Sequence, residues 1–590
     1  MLSRRSFLGA SYVMLATAAR RGQAQTPPEP VIDVDFCNRS QTGDHMGLFG
    51  APSRYVNHEV FGDPAGAIFE EASVNGVEDA GYSEASSLPM GWQIIARSGT
   101  ASGTQSTFTK TDTARARINV TGESADEIAI VMGSDRHFLI KQGDQLTGSV
   151  AVCIAHDDSK SIASLGMFIV ERNEGGDAAD SNPTATPIQQ IQTDKAWWAQ
   201  VQHVALGDGF ATLALRIVTK NKFNITLEIN YAQLEKRAWR STFCVGSRQS
   251  DATTLVAASS YLSKQERSVV IVADAPRFAT EATLWSEYGD ADNNIGIEFR
   301  DRVLFARVVV GGIATELRLG VVPPLMRFRV CVVLKINGFA ASLNGKPAQY
   351  AECRMPDSLH QANLGSGNKG TWNSTVARLM LFGAGVADVA AASRQEKTFY
   401  DDFDRPDSRS LGMSPTGQAI QRFGANSRID GRKWVADSEL SLVSAAYGTI
   451  RMSHVPRYIG AVMNWTTGLT EGGAGLIAST HENLDVPLNA LHTVLTDRRE
   501  IFQTITHSSV DKEFASFFYP TPMRRDGATS YGVAAMLNAI DSAVVYIGPQ
   551  GDLVRHVDPT YVQRAGPVVV FEHYWHLSQC RPEFLAVAAF

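Results

Sequence analysis

Apolar residues in this chain recur in short alternating or continuous runs, and few stretches carry them at helical spacing. "GSVAVCIAH", "ATLALRIV", "SVVIVADA", "YIGAVMNW" and "SAVVYIG" are examples, each bounded by turn-forming residues. Such runs predict strands, and their number and spacing predict an all-β chain of antiparallel β-sandwiches. In "RFRVCVVLKINGFAASLNGKPAQY" the pairs Asn337-Gly338 and Asn344-Gly345 suit the positive backbone angles of tight turns. Three successive strands should therefore fold into a meander. "VVYIGPQGDLVRHV" predicts another hairpin, with Gly548, Pro549 and Gly551 at its tip. No short-period repeat is present, which disfavours a solenoid or propeller.

The pattern breaks twice. "VGSRQSDATT" (245–254) is polar and turn-rich, and "AAASRQEKTFYDDFDRPDSRS" (390–410) is a charged seam followed by a fresh start. Three tandem sandwiches are expected, at 30–245, 250–398 and 399–590, which suits a chain of 590 residues, too long for one core. Hydrophobic residues make up 44% and charged residues 19%, enough apolar material to fold and too little charge for disorder. The net charge of -7, with both signs mixed along the chain, offers no polybasic field, so nucleic acid and anionic membrane surfaces are not expected partners.

Residues 1–25 read differently. "SRRSFLGA" sets Arg4 and Arg5 before a modest apolar run, Phe7 to Ala19, followed by Arg20 and Arg21. This resembles a twin-arginine export signal, with Ala24 as the candidate cleavage position. The resemblance implies a mature protein in the periplasm or outside the cell. The apolar run falls short of the roughly 20 residues needed to span a bilayer as a helix, and no later segment predicts a membrane span. The six cysteines, Cys37, Cys153, Cys244, Cys331, Cys353 and Cys580, share no CxxC spacing, so no zinc or redox motif is expected. Cys331 and Cys353 are close enough in sequence to pair, but Cys331 sits in "FRVCVVLKI", where a buried thiol is the commoner reading.

The stretch "NITLEINYAQLEKRAWRSTF" (224–243) alternates as a strand should. It predicts Ile225, Leu227, Ile229, Tyr231 and Gln233 on the packed face, and Gln233 as a buried amide that ties this strand to a neighbouring loop. Its "YAQLE" phrase resembles the close of carbohydrate-binding-module-like jelly rolls of phage tail and bacterial surface proteins. The second unit resembles laminin-G and concanavalin-like sandwiches, from "ATLWSEYGDADNNIGIEFRDRVLFARVVVGGIATELRLG" to "HQANLGSGNKGTWNSTVARLMLFGAGV". The third opens with "DDFDRPDSRSLGMSPTG", similar to the D-x-F-x-R openings of other concanavalin-like domains. Together these resemblances imply sugar-binding sandwiches.

Sugars stack on exposed rings while polar neighbours bond their hydroxyls. Trp197 and Trp198 are adjacent, so on a strand they point to opposite faces. One is expected in the core; the other is a ligand platform, a rim contact or an interdomain plug. Trp285, Trp372, Trp434 and Trp465 are read as core or seam residues. Asp401, Asp402, Asp404 and Asp407 crowd one turn-rich segment, and Asp402 with Asp404 are candidate ligands of a structural calcium, the one cofactor considered. The E-x-D-x-x-E strand motif of concanavalin-like glucanases is missing. Glu298 with Asp301, and Glu482 with Asp485, have an odd offset that splits each pair across a strand, and all four are read as surface charges.

"VFEHYWHLSQC" is the most unusual composition in the chain. A strand through it places Glu572, Tyr574 and His576 on one face, candidates for lyase acid-base chemistry or a metal, and His573 and Trp575 on the other. The alternative is an aromatic strand at a domain edge. "FLAVAAF", ending in Phe590, is read as the closing strand of the third sandwich. The expected function is a secreted, non-enzymatic protein that binds a polysaccharide, cell-surface glycan or other surface polymer and assembles with itself or an envelope structure. The alternatives are a polysaccharide hydrolase or lyase with its site in the third unit, and a structural or appendage-associated envelope component.

Overall fold

Every strand pairing in the computed structural model is antiparallel, and only two short helices, Ser259–Leu262 and Val389–Ser393, interrupt the strands among the described residues. Described are residues 29–36, 54–56, most of 66–80, most of 88–237, parts of 244–276 and nearly all of 281–466; beyond these come 472–479, 490–496, 500–507, 510–518, 526–537, 542–547, 553–558, 567–576 and 582–590. Each of the five quoted hydrophobic runs falls on a strand, with Ala275 just past the end of its own. No helix among the described residues is long and apolar enough to cross a membrane.

Among the described residues, six large sheets pack in pairs over three main hydrophobic clusters. One pair, of five and seven strands, encloses Ile130, Val152, Met167, Leu215, Leu227 and Ile229. A second pair, of eight and five strands, encloses Trp285, Phe299, Phe328 and Trp372. A third, of eight and seven strands, encloses Trp434, Trp465, Phe571 and Phe584. The four tryptophans read as core or seam residues are each buried.

The tandem arrangement needs correction. Strand Ile32–Asp35 pairs with Ser374–Phe382, and Gly66–Phe69 pairs with the start of that same strand. Both belong to the eight-stranded sheet of the second sandwich, where Val34, Phe36, Ala67 and Phe69 enter the core. The first sandwich is thus an insertion within the second, and the expected start of a separate unit at 30 does not hold. A two-strand neck, Ser73–Val74 against Ser247–Arg248, carries it. Asn75 braces the neck by accepting from Val77 and Leu234 amides and donating to the carbonyls of Ala232 and Cys244.

A bulge rewrites the "YAQLE" strand. Ser149 faces Gln233 but Ala151 faces Asn230, so one strand has an extra residue, and Tyr231 takes φ 56. A bulge shifts the alternation by one. Ile225, Leu227 and Ile229 pack in the core as expected, yet beyond the bulge it is Ala232 and Leu234 that enter it, correcting the expected place of Tyr231 and Gln233. Gln233 is still buried, and its side-chain carbonyl accepts from the Cys244 amide at 3.0 Å, the tie to a loop that the sequence implied.

The meander forms, with one offset. Lys335 pairs with Gly338, so Ile336 and Asn337 make the first turn in place of Asn337-Gly338. Asn344 and Gly345 do take positive φ, 49 and 80. Strands Ser542–Ile547 and Leu553–Asp558 form the later hairpin; its tip lies outside the described residues.

The second and third sandwiches share a buried seam. Tyr400, Tyr458, Ala534 and Ala588 of the third complete the core cluster of the second. The Tyr458 hydroxyl donates to the Pro324 carbonyl at 2.6 Å and Tyr400 donates to the Val321 carbonyl at 2.7 Å. Phe590 stacks on Tyr458 at 4.8 Å and packs against the same cluster. Strand Pro582–Ala589, read as the closing strand, runs beside Tyr458–Trp465 within the third body's eight-stranded sheet.

Candidate functional site

The five-stranded sheet of the second sandwich has one apolar face and one polar face. Leu284, Trp285, Ile295, Ile297, Phe299 and Leu304 fill the core side. Alternation sends Ser286, Tyr288, Glu298, Phe305, Arg307 and Glu316 to the other. A small hairpin, Ser366–Gly367 with Gly370–Thr371, leans over part of that face: Ser286 donates to the Ser366 carbonyl at 2.9 Å, and the Lys369 amide donates to Thr283 at 3.0 Å.

Two chemistries sit side by side there. At one edge hydroxyls and amides connect in a row: Thr254 donates to the side-chain Oδ1 of Asn363 at 2.8 Å, Gln361 donates to the same oxygen at 2.8 Å and to the Thr254 hydroxyl at 3.1 Å, and the Asn363 side-chain amide donates to the Ser286 hydroxyl at 3.2 Å. Tyr288, half-buried, pairs with Gln361 across the strands and meets the exposed His360 ring edge-on at 6.4 Å. Towards the other edge an ion-pair chain runs from Glu298 to Arg307 (3.4 Å), from Arg307 to Glu316 (3.2 Å) and from Glu316 to Arg300 (2.8 Å). The Arg300 guanidinium lies 4.0 Å from the Phe305 ring centre.

Glu298 corrects its reading as a surface charge. It is 2% exposed, and its Oε2 has no hydrogen-bond partner. Gly296 beside it leaves the room its carboxyl occupies, since a Cβ there would fall 3.1 Å from Oε1. Burial pushes this carboxyl above the usual carboxylate range, while the charges of Arg307, Arg300 and Lys369 oppose the shift. The folded protein therefore holds this proton more tightly than the unfolded chain. That contribution to stability is complete below the ordinary glutamate range and is lost as pH rises through the folded value. Glu298→Gln should then gain in melting temperature relative to the parent between pH 4 and pH 7, measured by calorimetry; an unchanging difference would contradict the assignment.

The acidic cluster of the third body has protein cations around it. Lys346, 7% exposed, places its Nζ 2.7 Å from Asp402 and 3.7 Å from Asp404. Arg432 and Arg318 lie 3.1 and 3.4 Å from Asp404, and Arg405 grips both oxygens of Asp401. Asp402 and Asp404, the candidate calcium ligands, thus share a buried ammonium. Among the described residues no group of three or more His, Cys, Asp or Glu side chains is gathered as a metal would need. Cys331 and Cys353 are both free thiols, and burial pushes the Cys331 thiol up to about 12.

Trp197 and Trp198 lie in strand Trp197–Val204, opposite Val152 and Ala151; their side chains lie outside the described residues. This strand lies against Leu553–Asp558 of the third body. Glu572 and His573 are buried in strand Val568–His576. His573 packs edge-on to Trp434 and Phe584 at 4.2 and 4.6 Å. The side chains of Tyr574, Trp575 and His576 lie outside the described residues, as do Glu482 and Asp485.

No protein-family model and no curated protein matches the chain. Among solved structures it is similar to the CBM40 of a Ruminococcus gnavus sialidase bound to α2,3-sialyllactose, at 11% identity over 22% of this chain and 84% of that one, TM-score 0.20. Mouse laminin α1 chain domains LG4-5 align at 14% identity over 52% and 75%, TM-score 0.17. LamAcat from Zobellia galactanivorans aligns at 8% over 32% and 96%, TM-score 0.24. Likenesses this low carry neither activity nor ligand to this chain.

Proposed function

We propose that this protein binds a glycan or cell-surface polymer without cleaving it, after export by the twin-arginine route to the periplasm or the cell exterior. The observation that supports the reading is the hydroxyl-amide row Thr254, Gln361, Asn363 and Ser286 beside Tyr288 on the polar sheet face. Sugar recognition needs such an arrangement of fixed donors and acceptors next to a ring. A glycan array and polysaccharide depletion assay on the mature protein, followed by assay for reducing ends or unsaturated sugar, tests it. Retention without new ends is expected. Product formation would favour a hydrolase or lyase and direct attention to Glu572, Tyr574 and His576.

Trp197 and Trp198 extend the proposal to the first sandwich. Replacing each singly by Ala should show one variant with retention weakened about tenfold, roughly 1.4 kcal/mol, and a nearly unchanged melting temperature. Unaltered affinity in both would remove that strand from the binding surface. The structural, envelope-associated reading draws support from a separate observation, the apolar seam that joins the second and third bodies. Failure of every polymer to bind would favour it.

A further inference from the structure

Granting that binding reading, we infer that the ligand of the polar sheet face is a neutral, hydroxyl-rich polysaccharide rather than an acidic one. Each described cation on the face already lies against a carboxylate, and Asp404 is shared with Arg432 and Lys346. Arg300 pairs with Glu316, Arg307 with Glu298 and Glu316, Lys369 with Glu281 at 3.0 Å, and Arg318 with Asp404 at 3.4 Å. Among the described residues no cation of the face stands apart from a carboxylate, ready for a uronate or sulfate.

Displacing an internal carboxylate to make room for a polymer's would exchange one ion pair for another and gain little, because both states desolvate the same guanidinium. Asp290 and Asp292, exposed at the adjoining hairpin turn, add a negative rim that a polyanion would have to approach. The part of the face not committed to ion pairs is the neutral row. Its half-exposed Gln361 and exposed Thr254 offer amide and hydroxyl groups next to Tyr288, which suits uncharged sugar hydroxyls. Binding through such groups depends little on salt, whereas ion-paired binding weakens as salt screens it.

The test uses the full mature chain. Dextran, mixed-linkage β-glucan and xylan form one panel; polygalacturonate, hyaluronate and chondroitin sulfate form the other, each at 50 and 500 mM NaCl. A neutral polymer should be retained equally at both salts, with affinity at least tenfold weaker in Gln361→Ala. Glu316→Gln leaves Arg300 without its carboxylate and should create new, salt-sensitive retention of an acidic polymer. Preferential retention of acidic polymers by the parent chain, displaced by salt, would overturn the ligand class and leave the binding reading standing. Neutral retention undiminished in Gln361→Ala would overturn this face as the site. Retention of nothing from either panel would overturn the inference and the binding reading together.

Discussion

Replacing Lys346 with Met should cost about 3–5 kcal/mol of unfolding free energy, the range for stranding one partner of a buried ion pair. The ammonium is nearly enclosed, donates to the Leu319 carbonyl at 3.0 Å and meets Asp402 at 2.7 Å. Asp402 is itself 2% exposed, and its Oδ1 has no hydrogen-bond partner to compensate. With Lys346 gone, a carboxylate would sit at the seam with its strongest partner missing. The double variant Lys346→Met, Asp402→Leu should recover most of the loss, because the desolvation cost leaves with the pair. Urea titration followed by tryptophan fluorescence gives the comparison. A double variant as unstable as the single one would show that the seam depends on something other than this pair.

An effect of similar size is expected from Glu287→Leu in the second core. This carboxylate, wholly buried, accepts from the Tyr261 hydroxyl at 2.9 Å, from Arg267 Nε at 3.0 Å and from Trp285 Nε1 at 3.3 Å. Removing it leaves Arg267, 4% exposed, charged and without its carboxylate, again about 3–5 kcal/mol. Burial, together with the charge of Glu287, holds the Tyr261 phenol well above its ordinary value. It therefore remains a donor until the core opens. Chemical denaturation should rank Glu287→Leu well below a Glu287→Leu, Arg267→Met double variant; equal midpoints would refute the coupling.

Local patterns in the sequence carried the strands, the meander and the cores around Trp285, Trp372, Trp434 and Trp465. Each follows from alternation or turn chemistry within a few residues. What escaped is non-local. The pairing of Asp33 with Met380 joins positions with no shared periodicity, so the inserted arrangement left no mark in the chain. Glu287 and Glu298 look like ordinary strand charges until Arg267, Tyr261 and Arg307 are folded around them. Asp402 and Asp404 look like cation ligands, and the cation beside them is Lys346, from a turn of another sandwich. Tyr231 shows the finest limit: one residue in the left-handed region reverses which side of a strand is packed, and its side chain gives no notice.

The neck formed by Ser73–Val74 and Ser247–Arg248 has a mechanical corollary. A body whose entrance and exit are adjacent strands is a pendant in the course of the chain, even though its strand Trp197–Val204 also touches the third body, and its removal need not open the host's sheets. A shortened chain joining residue 74 to residue 247 through a few glycines should keep the host's architecture, making the pendant an exchangeable module.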